Sequence, residues 1–374
     1  MISDVLSSVT HVKEYADSEL HFSLVYGDGV YSWTGETVPD PFGGNAGDAA
    51  SCPLLTNVLS GEQFFARRLH CATYELSRYR SQILKPPSDT DILWPCDLVL
   101  LHADEEGFSV PVNNQYTDAP VETDLGGGGR ALLFPYGAYP QLTRADQADG
   151  ARIDSTWKDA AARTLAIETV RAFHNLNLHG YSYFDVSLSR IFATERGSVF
   201  LDYSNLVYSM GTLADEGTAR LYSPVPGGYP VEFMEPAYVQ RSIDHVDFEM
   251  QNYMLSAYLF YVLFGNYAYD GRLLIGETDD SLIQHYDKFR QYHKMPVFIF
   301  DENDSRNALG LFAEDEAIIS LWEESPEPIR ELFALTLAEG NAMRHHDVCN
   351  PSPKTWLRTF GEIGWLDMQG GDVA

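Results

Sequence analysis

The pattern of apolar residues changes near residue 150, and this change limits the folds that the chain can adopt. Before it, short apolar runs alternate with Gly- and Pro-containing segments, as in strands. After it, apolar residues recur with helical spacing over long stretches, Ser155–Leu178, Met250–Phe264 and Trp322–Glu339. The sequence therefore predicts an α+β fold, with a small mixed β part followed by a larger, mainly helical part.

The strand-rich part begins with two apolar runs, Leu20–Tyr26 and Val30–Trp33, which flank Gly27–Gly29 and predict a β-hairpin. Further on, the sequence predicts strands at Gln63–Leu69, Leu98–Leu101 and Ala131–Phe134 and a helix at Ala72–Leu84, which Pro86 and Pro87 end. We expect three segments: an N-terminal extension with the hairpin (1–40), a small lobe (41–140) and a helical lobe (141–374).

The formal net charge of the 374-residue chain is −29, and its acidic residues are spread along the sequence. Such a surface repels nucleic acid and anionic lipid, because phosphate contacts require Lys or Arg. Direct nucleic-acid binding is therefore not expected, whereas a basic protein partner fits the charge. The sequence indicates no oligomeric state.

The four cysteines have no CxxC spacing, which is typical of a chain in a reducing compartment. The N-terminus has no basic start or long apolar core, so we expect no export signal. The most apolar stretch, Tyr253–Tyr269, contains polar residues and predicts a buried helix rather than a membrane span. These features together predict a cytoplasmic protein without membrane contact.

Two aspartates stand out in the segment that begins at Phe173. Asp185 lies in a predicted loop after a helix, and Asp202 follows a predicted hairpin at the end of a strand. Two carboxylates on such loops suit a magnesium–nucleotide site, where one orients an acceptor hydroxyl and the other holds the metal. Spacing alone favours the alternative that both aspartates simply cap turns.

The residues around both aspartates, Tyr183–Phe192 and Gly197–Ser204, resemble the catalytic loop and the magnesium-binding motif of protein kinases. The resemblance is to bacterial serine/threonine kinases, of the group often found in tellurite and stress-response clusters. It implies a two-lobed kinase-like fold, with Asp185 as the catalytic residue, Asp202 as the metal ligand, and ATP with magnesium as cofactors.

Other segments extend the resemblance in order over about residues 40–360. Phe65–Leu69 resembles the strand that carries the ATP-anchoring lysine, and Gly44 and Gly47 fall where two glycines of the nucleotide loop would lie. Later matches include Ile92–Val99, Met234–Pro236, Val262–Gly271 and Pro296–Asp301.

Several positions depart from the kinase pattern. Arg68 stands where the anchoring lysine is expected, and Arg190 where an asparagine would bind the second metal ion. An arginine repels a cation, although it can contact a phosphate directly. Phe42 replaces a glycine of the nucleotide loop, and Gln251 lies at or near the position of an aspartate on the central helix.

The departures favour a pseudokinase that acts as a regulatory or interaction module, with nucleotide bound as a structural ligand. In that case Gly44, Gly47, Arg68 and Arg190 are the nucleotide-binding residues. Two alternatives remain open. The retained Asp185 and Asp202 fit an active, divergent serine/threonine kinase, and the net charge of −29 fits an acidic binding protein for a basic partner.

Overall fold

The computed structural model describes residues 19–26, 29–39, 51–69, 76–87, 94–102, 128–137, 143–144, 156–188, 190–193, 199–201, 207–209, 233–236, 248–271, 296–310, 313–338 and 349–366. The chain divides into two compact units, Met1–Leu142 and Thr143–Ala374. Antiparallel strands dominate the first and helices the second. This confirms the mixed fold of antiparallel strands and helices, while the two-lobed kinase-like arrangement and the predicted domain boundaries stay predictions.

The first unit is built on one six-stranded antiparallel sheet of order β1-β2-β3-β4-β6-β5. Its strands are β1 (Glu19–Phe22), β2 (Val30–Pro39), β3 (Ser51–Asn57), β4 (Gln63–Leu69), β5 (Asp97–His102) and β6 (Gly128–Pro135), with helix α1 (Leu76–Leu84) between β4 and β5. β1 pairs with β2 as the predicted hairpin, and β2 pairs in turn with β3. The hairpin expected in an N-terminal extension is therefore part of this sheet.

The sheet curls until its two outer strands meet. Just beyond β1, Ser23 forms an antiparallel bridge with Val99 of β5. The Leu24 N–H donates to the carbonyl oxygen of Leu98 at 2.7 Å. Apolar side chains from all strands except β1 form a buried cluster: Tyr31, Leu55, Phe64, Ala66, Val99, Ala131 and Leu133. This cluster is the core of the first unit, because the alternation of side chains along each strand collects them on one face.

The second unit contains helices α2 (Ala160–Leu178), α3 (Phe248–Phe264), α4 (Ala313–Glu324), α5 (Glu327–Leu337) and α6 (Pro353–Glu362) and a short 3-10 helix, Ser305–Asn307. Its short strands are β7 (Thr143–Arg144), β8 (Tyr181–Tyr183), β9 (Ile191–Ala193), β10 (Val199–Leu201) and β11 (Val207–Ser209). They form one sheet of order β10-β9-β7 and a separate β8–β11 pair.

Helix α3 is the centre of the second unit. Every residue from Met250 to Phe264 is buried, so the helix has no solvent-facing side over this stretch, which confirms the predicted core helix. Helix α6 supplies the fully buried Trp356, whose indole N–H donates to Ser256 Oγ at 3.2 Å. Among the described helices, none is long and apolar enough to cross a membrane.

The single helix predicted over Trp322–Glu339 is wrong, because α4 ends at Glu324 and α5 begins at Glu327. Pro326 has no N–H to continue the hydrogen-bond ladder and instead precedes the first turn of α5. Arg330 stabilises the break, since its Nη1 donates to the carbonyl oxygens of Glu323 at 2.7 Å and Ser325 at 2.8 Å. Those carbonyls lie at the end of α4, where no helical partner exists.

Candidate functional site

The loop that carries Asp185 is positioned by the end of α2 and by β8. After Leu178 the chain reverses at Gly180, whose φ of 80° is in the left-handed region that glycine adopts without strain. β8 follows at once and pairs with β11, with Tyr183 opposite Val207. Asp185 therefore lies two residues beyond the end of β8. The pairing of β8 with β11 fixes the backbone that leads into the Asp185 loop.

Asp185 is a buried carboxylate, 6% exposed, between the buried Phe184 and Val186. Arg190 Nε lies 3.2 Å from Asp185 Oδ2, and the Arg190 side chain is 41% exposed. The Arg190 N–H donates to the carbonyl oxygen of Ser187 at 3.2 Å, so the loop turns back on itself. The turn brings the guanidinium to the carboxylate, which satisfies the rule that a buried charge is paired.

A second contact holds this loop from α3. The Tyr183 N–H donates to Gln251 Oε1 at 3.0 Å, and Gln251 is fully buried. Gln251 Nε2 has no hydrogen-bond partner in the described part of the chain. The structure thus brings Gln251 against the loop, where the resemblance expected an aspartate, and the contact is made by a neutral amide.

The other predicted site residues fall into two groups. Arg68 lies on β4 in the first unit, with its backbone in register with Ala131 of β6. Gly44, Gly47 and Asp202 lie outside the described residues. The structure therefore brings Asp185 together with Arg190, and the roles of the remaining four residues stay predictions.

The arrangement at Asp185 limits its chemistry. A guanidinium lies beside this carboxylate, so the Asp185 oxygen that it contacts is engaged in an ion pair. The same cation opposes a divalent metal ion at this position. Among the described residues, no group of three or more His, Cys, Asp or Glu side chains is arranged to hold a metal ion.

One buried acidic residue was missed by the sequence analysis. Asp97, at the start of β5, is 1% exposed and accepts hydrogen bonds from the Ser23 hydroxyl and the Tyr31 phenol, both at 2.7 Å. Burial raises the pKa of its carboxyl group above the usual aspartate value. The sequence signal was weak: an aspartate directly before the apolar run Leu98–Leu101, with hydroxyl donors many residues away.

Comparisons with known proteins assign no family. No protein-family model matches the chain, and no curated protein matches it. Among solved structures, it is similar to ROP2 from Toxoplasma gondii, described as a virulence factor with a protein-kinase fold and no enzymatic activity. That similarity has 14% sequence identity and a TM-score of 0.44, over 96% of this chain and 92% of ROP2. Similarity at this level assigns neither fold nor activity to this chain.

Proposed function

We propose that this chain is a kinase-like protein of the bacterial serine/threonine type that does not transfer phosphate and instead acts as a regulatory or interaction module. The order of its elements supports the fold. Strands β2 and β3 flank the glycine-containing segment, β4 carries Arg68, and α1 follows. A nucleotide loop, a strand with the anchoring cation and a helix occur in this order in protein kinases.

The contact between Arg190 and Asp185 is the observation that carries the proposal of inactivity. In a protein kinase, the catalytic aspartate accepts a proton from the substrate hydroxyl, and the asparagine five positions later binds a metal ion. Here Arg190 replaces that asparagine and lies 3.2 Å from the Asp185 carboxylate. These residues do not fit a site with two magnesium ions.

The partner that we propose is a basic protein. A chain with a formal net charge of −29 attracts basic surfaces at long range and repels polyanions. Free thiols at Cys96 and Cys349 are consistent with a reducing cytoplasm, the compartment that we propose.

Phosphoryl transfer from radiolabelled ATP tests the proposal of inactivity. We expect no incorporation into a general basic substrate or into the chain itself, with magnesium or with manganese. Incorporation that disappears in both Asp185→Ala and Asp202→Ala would overturn the proposal and establish the alternative, an active divergent kinase. Arg358→Ala, on the exposed side of α6, is the matched control for a neutral surface change.

Nucleotide binding needs a separate measurement, because a pseudokinase can bind ATP without turning it over. A ligand that binds only the folded state raises the melting temperature by mass action. We expect a rise with ATP that does not depend on magnesium, since an arginine that contacts phosphate carries a permanent positive charge. A rise in melting temperature that requires magnesium would contradict the proposed role of arginine. If ATP causes no rise, the chain does not bind it, and protein binding alone remains as the proposed function.

A further inference from the structure

We propose that Asp97 is a proton-sensitive latch that closes the six-stranded sheet of the first unit. Its carboxylate joins three segments that are far apart in sequence. Oδ1 accepts from the Ser23 hydroxyl just beyond β1, and Oδ2 accepts from the Tyr31 phenol on β2. Asp97 itself opens β5, where its Oδ1 also accepts from the Leu98 N–H at 2.7 Å.

The latch lies where the two outer strands meet. The Ser23–Val99 bridge and the hydrogen bond from the Leu24 N–H to the Leu98 carbonyl oxygen are backbone contacts that join the end of β1 to β5. Ser23 organises the turn at this point, because its Oγ accepts from the N–H groups of Val25 and Tyr26. Gain or loss of a proton at the Asp97 carboxylate therefore changes the stability of the contact between the end of β1 and β5.

The surrounding backbone is shaped to let these groups approach. A Cβ atom at Gly29 would lie 2.6 Å from the Cβ of Ser23 and 3.2 Å from Asp97 Oδ2. A contact of 2.6 Å between two carbon atoms is repulsive, so any larger residue at position 29 would displace Ser23. The close approach of Ser23 and Asp97 at this point therefore requires glycine at position 29.

The carboxylate has no cationic partner among the described residues and is held by neutral donors alone. Removal from water penalises its ionised form, and burial raises its pKa, while the hydrogen bonds from Tyr31 and Ser23 oppose this shift. The closed sheet therefore binds a proton at Asp97 more tightly than an open sheet with a solvated carboxyl group. By linkage, closure is favoured in acid and weakened as the pH rises through the closed-state pKa.

The phenol and thiol groups beside Asp97 do not account for such a change between acid and neutral pH. Burial raises the pKa of the Tyr31 and Tyr26 phenols, and it raises the pKa of the Cys96 thiol to about 12. All three are therefore uncharged in this range. Glu62 contributes to the raised pKa of Cys96 and lies on the same unit.

His21 is a further neighbour that can carry charge, since it lies opposite Tyr31 in the β1–β2 register. A pH dependence caused by His21 would persist in a variant that is changed at Asp97 alone, whereas one caused by Asp97 would disappear. Asp97→Asn keeps an oxygen that accepts from Ser23 and Leu98 and supplies an N–H₂ group to the Tyr31 oxygen, so it resembles the protonated latch.

Hydrogen exchange of the full-length protein, followed by mass spectrometry across about pH 4–8 and corrected for intrinsic exchange rates, tests the latch. We expect the peptide that contains Leu24 to lose protection as the pH rises. Each unit between the closed-state and open-state pKa changes the opening constant by about tenfold. Asp97→Asn should remove this slope, whereas Glu36→Gln, an exposed change on β2, should leave it intact.

A second variant keeps the test decisive if Asp97→Asn does not fold. Tyr31→Phe removes a donor that lowers the Asp97 pKa, so the midpoint of the exchange profile should move to higher pH. A purely structural hydrogen bond would change the protection without moving the midpoint. A flat profile for the unaltered protein, a slope that persists in Asp97→Asn, or an unmoved midpoint in Tyr31→Phe would each overturn the proposal.

Discussion

Removal of Arg190 should destabilise the second unit far more than removal of an exposed arginine. Arg190→Ala removes the guanidinium whose Nε lies 3.2 Å from the Asp185 carboxylate, and Asp185 is 6% exposed. Loss of one partner from a fully buried ion pair costs about 3–5 kcal/mol. Because the Arg190 side chain is 41% exposed and water reaches it, we expect a smaller loss, about 1–3 kcal/mol.

Thermal unfolding measures this loss directly. For a unit of this size, 1 kcal/mol corresponds to a change in Tm of about 2–4 °C, so Arg190→Ala should lower Tm by roughly 2–12 °C. Asp185→Asn should cost less, because the guanidinium that it leaves behind is half exposed. A double-mutant cycle over both positions isolates the pair from the other contacts of each residue.

The matched control is the pair formed by Arg358 and Glu362 on α6. Its Nε–Oε1 distance is 3.7 Å and both side chains are more than half exposed, so its coupling energy should stay below about 0.5 kcal/mol. A coupling energy between Asp185 and Arg190 no larger than that of the control would refute the reasoning. The Asp185–Arg190 pair would then contribute no more to stability than an exposed ion pair does.

Three further substitutions test contacts within the second unit. Gly271→Ala would place a Cβ atom 2.0 Å from the Asn307 carbonyl oxygen, so we expect a loss of about 3 kcal/mol or more in thermal unfolding; an unchanged Tm would contradict the close approach. Gln251→Ala removes the acceptor of the buried Tyr183 N–H and leaves a cavity. It should cost about 2–4 kcal/mol and accelerate hydrogen exchange at Tyr183, whereas unchanged exchange would exclude the anchor. Arg330→Ala should cost about 1 kcal/mol and loosen the last turn of α4, seen as faster exchange there alone.

Local patterns allowed much of the fold to be predicted from the sequence. The hairpin of β1 and β2 was predicted because two apolar runs flank a short glycine-containing turn. Helix α3 was predicted because a long apolar stretch with a few polar residues suits a buried helix. The prediction of one helix across α4 and α5 followed the apolar periodicity and gave Pro326 too little weight.

The site was harder to predict because its contacts depend on distance in space. The sequence showed that Arg190 is a cation where an asparagine is expected, but only the turn at Ser187 places its Nε beside Asp185. Asp97 was missed for the same reason, since its hydroxyl donors Ser23 and Tyr31 are 74 and 66 positions away. Spacing along the chain gives no hint of partners that a curled sheet brings together.

The complete burial of α3 also affects how the protein is made. A ribosome releases the chain from its N-terminus at a limited rate, so α3 emerges well before Trp356. Until α6 emerges, the part of α3 that packs against Trp356 at Ser256 has no cover. A nascent chain at this stage exposes part of an apolar helix, the kind of surface to which chaperones bind. We therefore expect the second unit to complete its folding only after α6 is synthesised, and a chain that ends before this helix to expose part of α3.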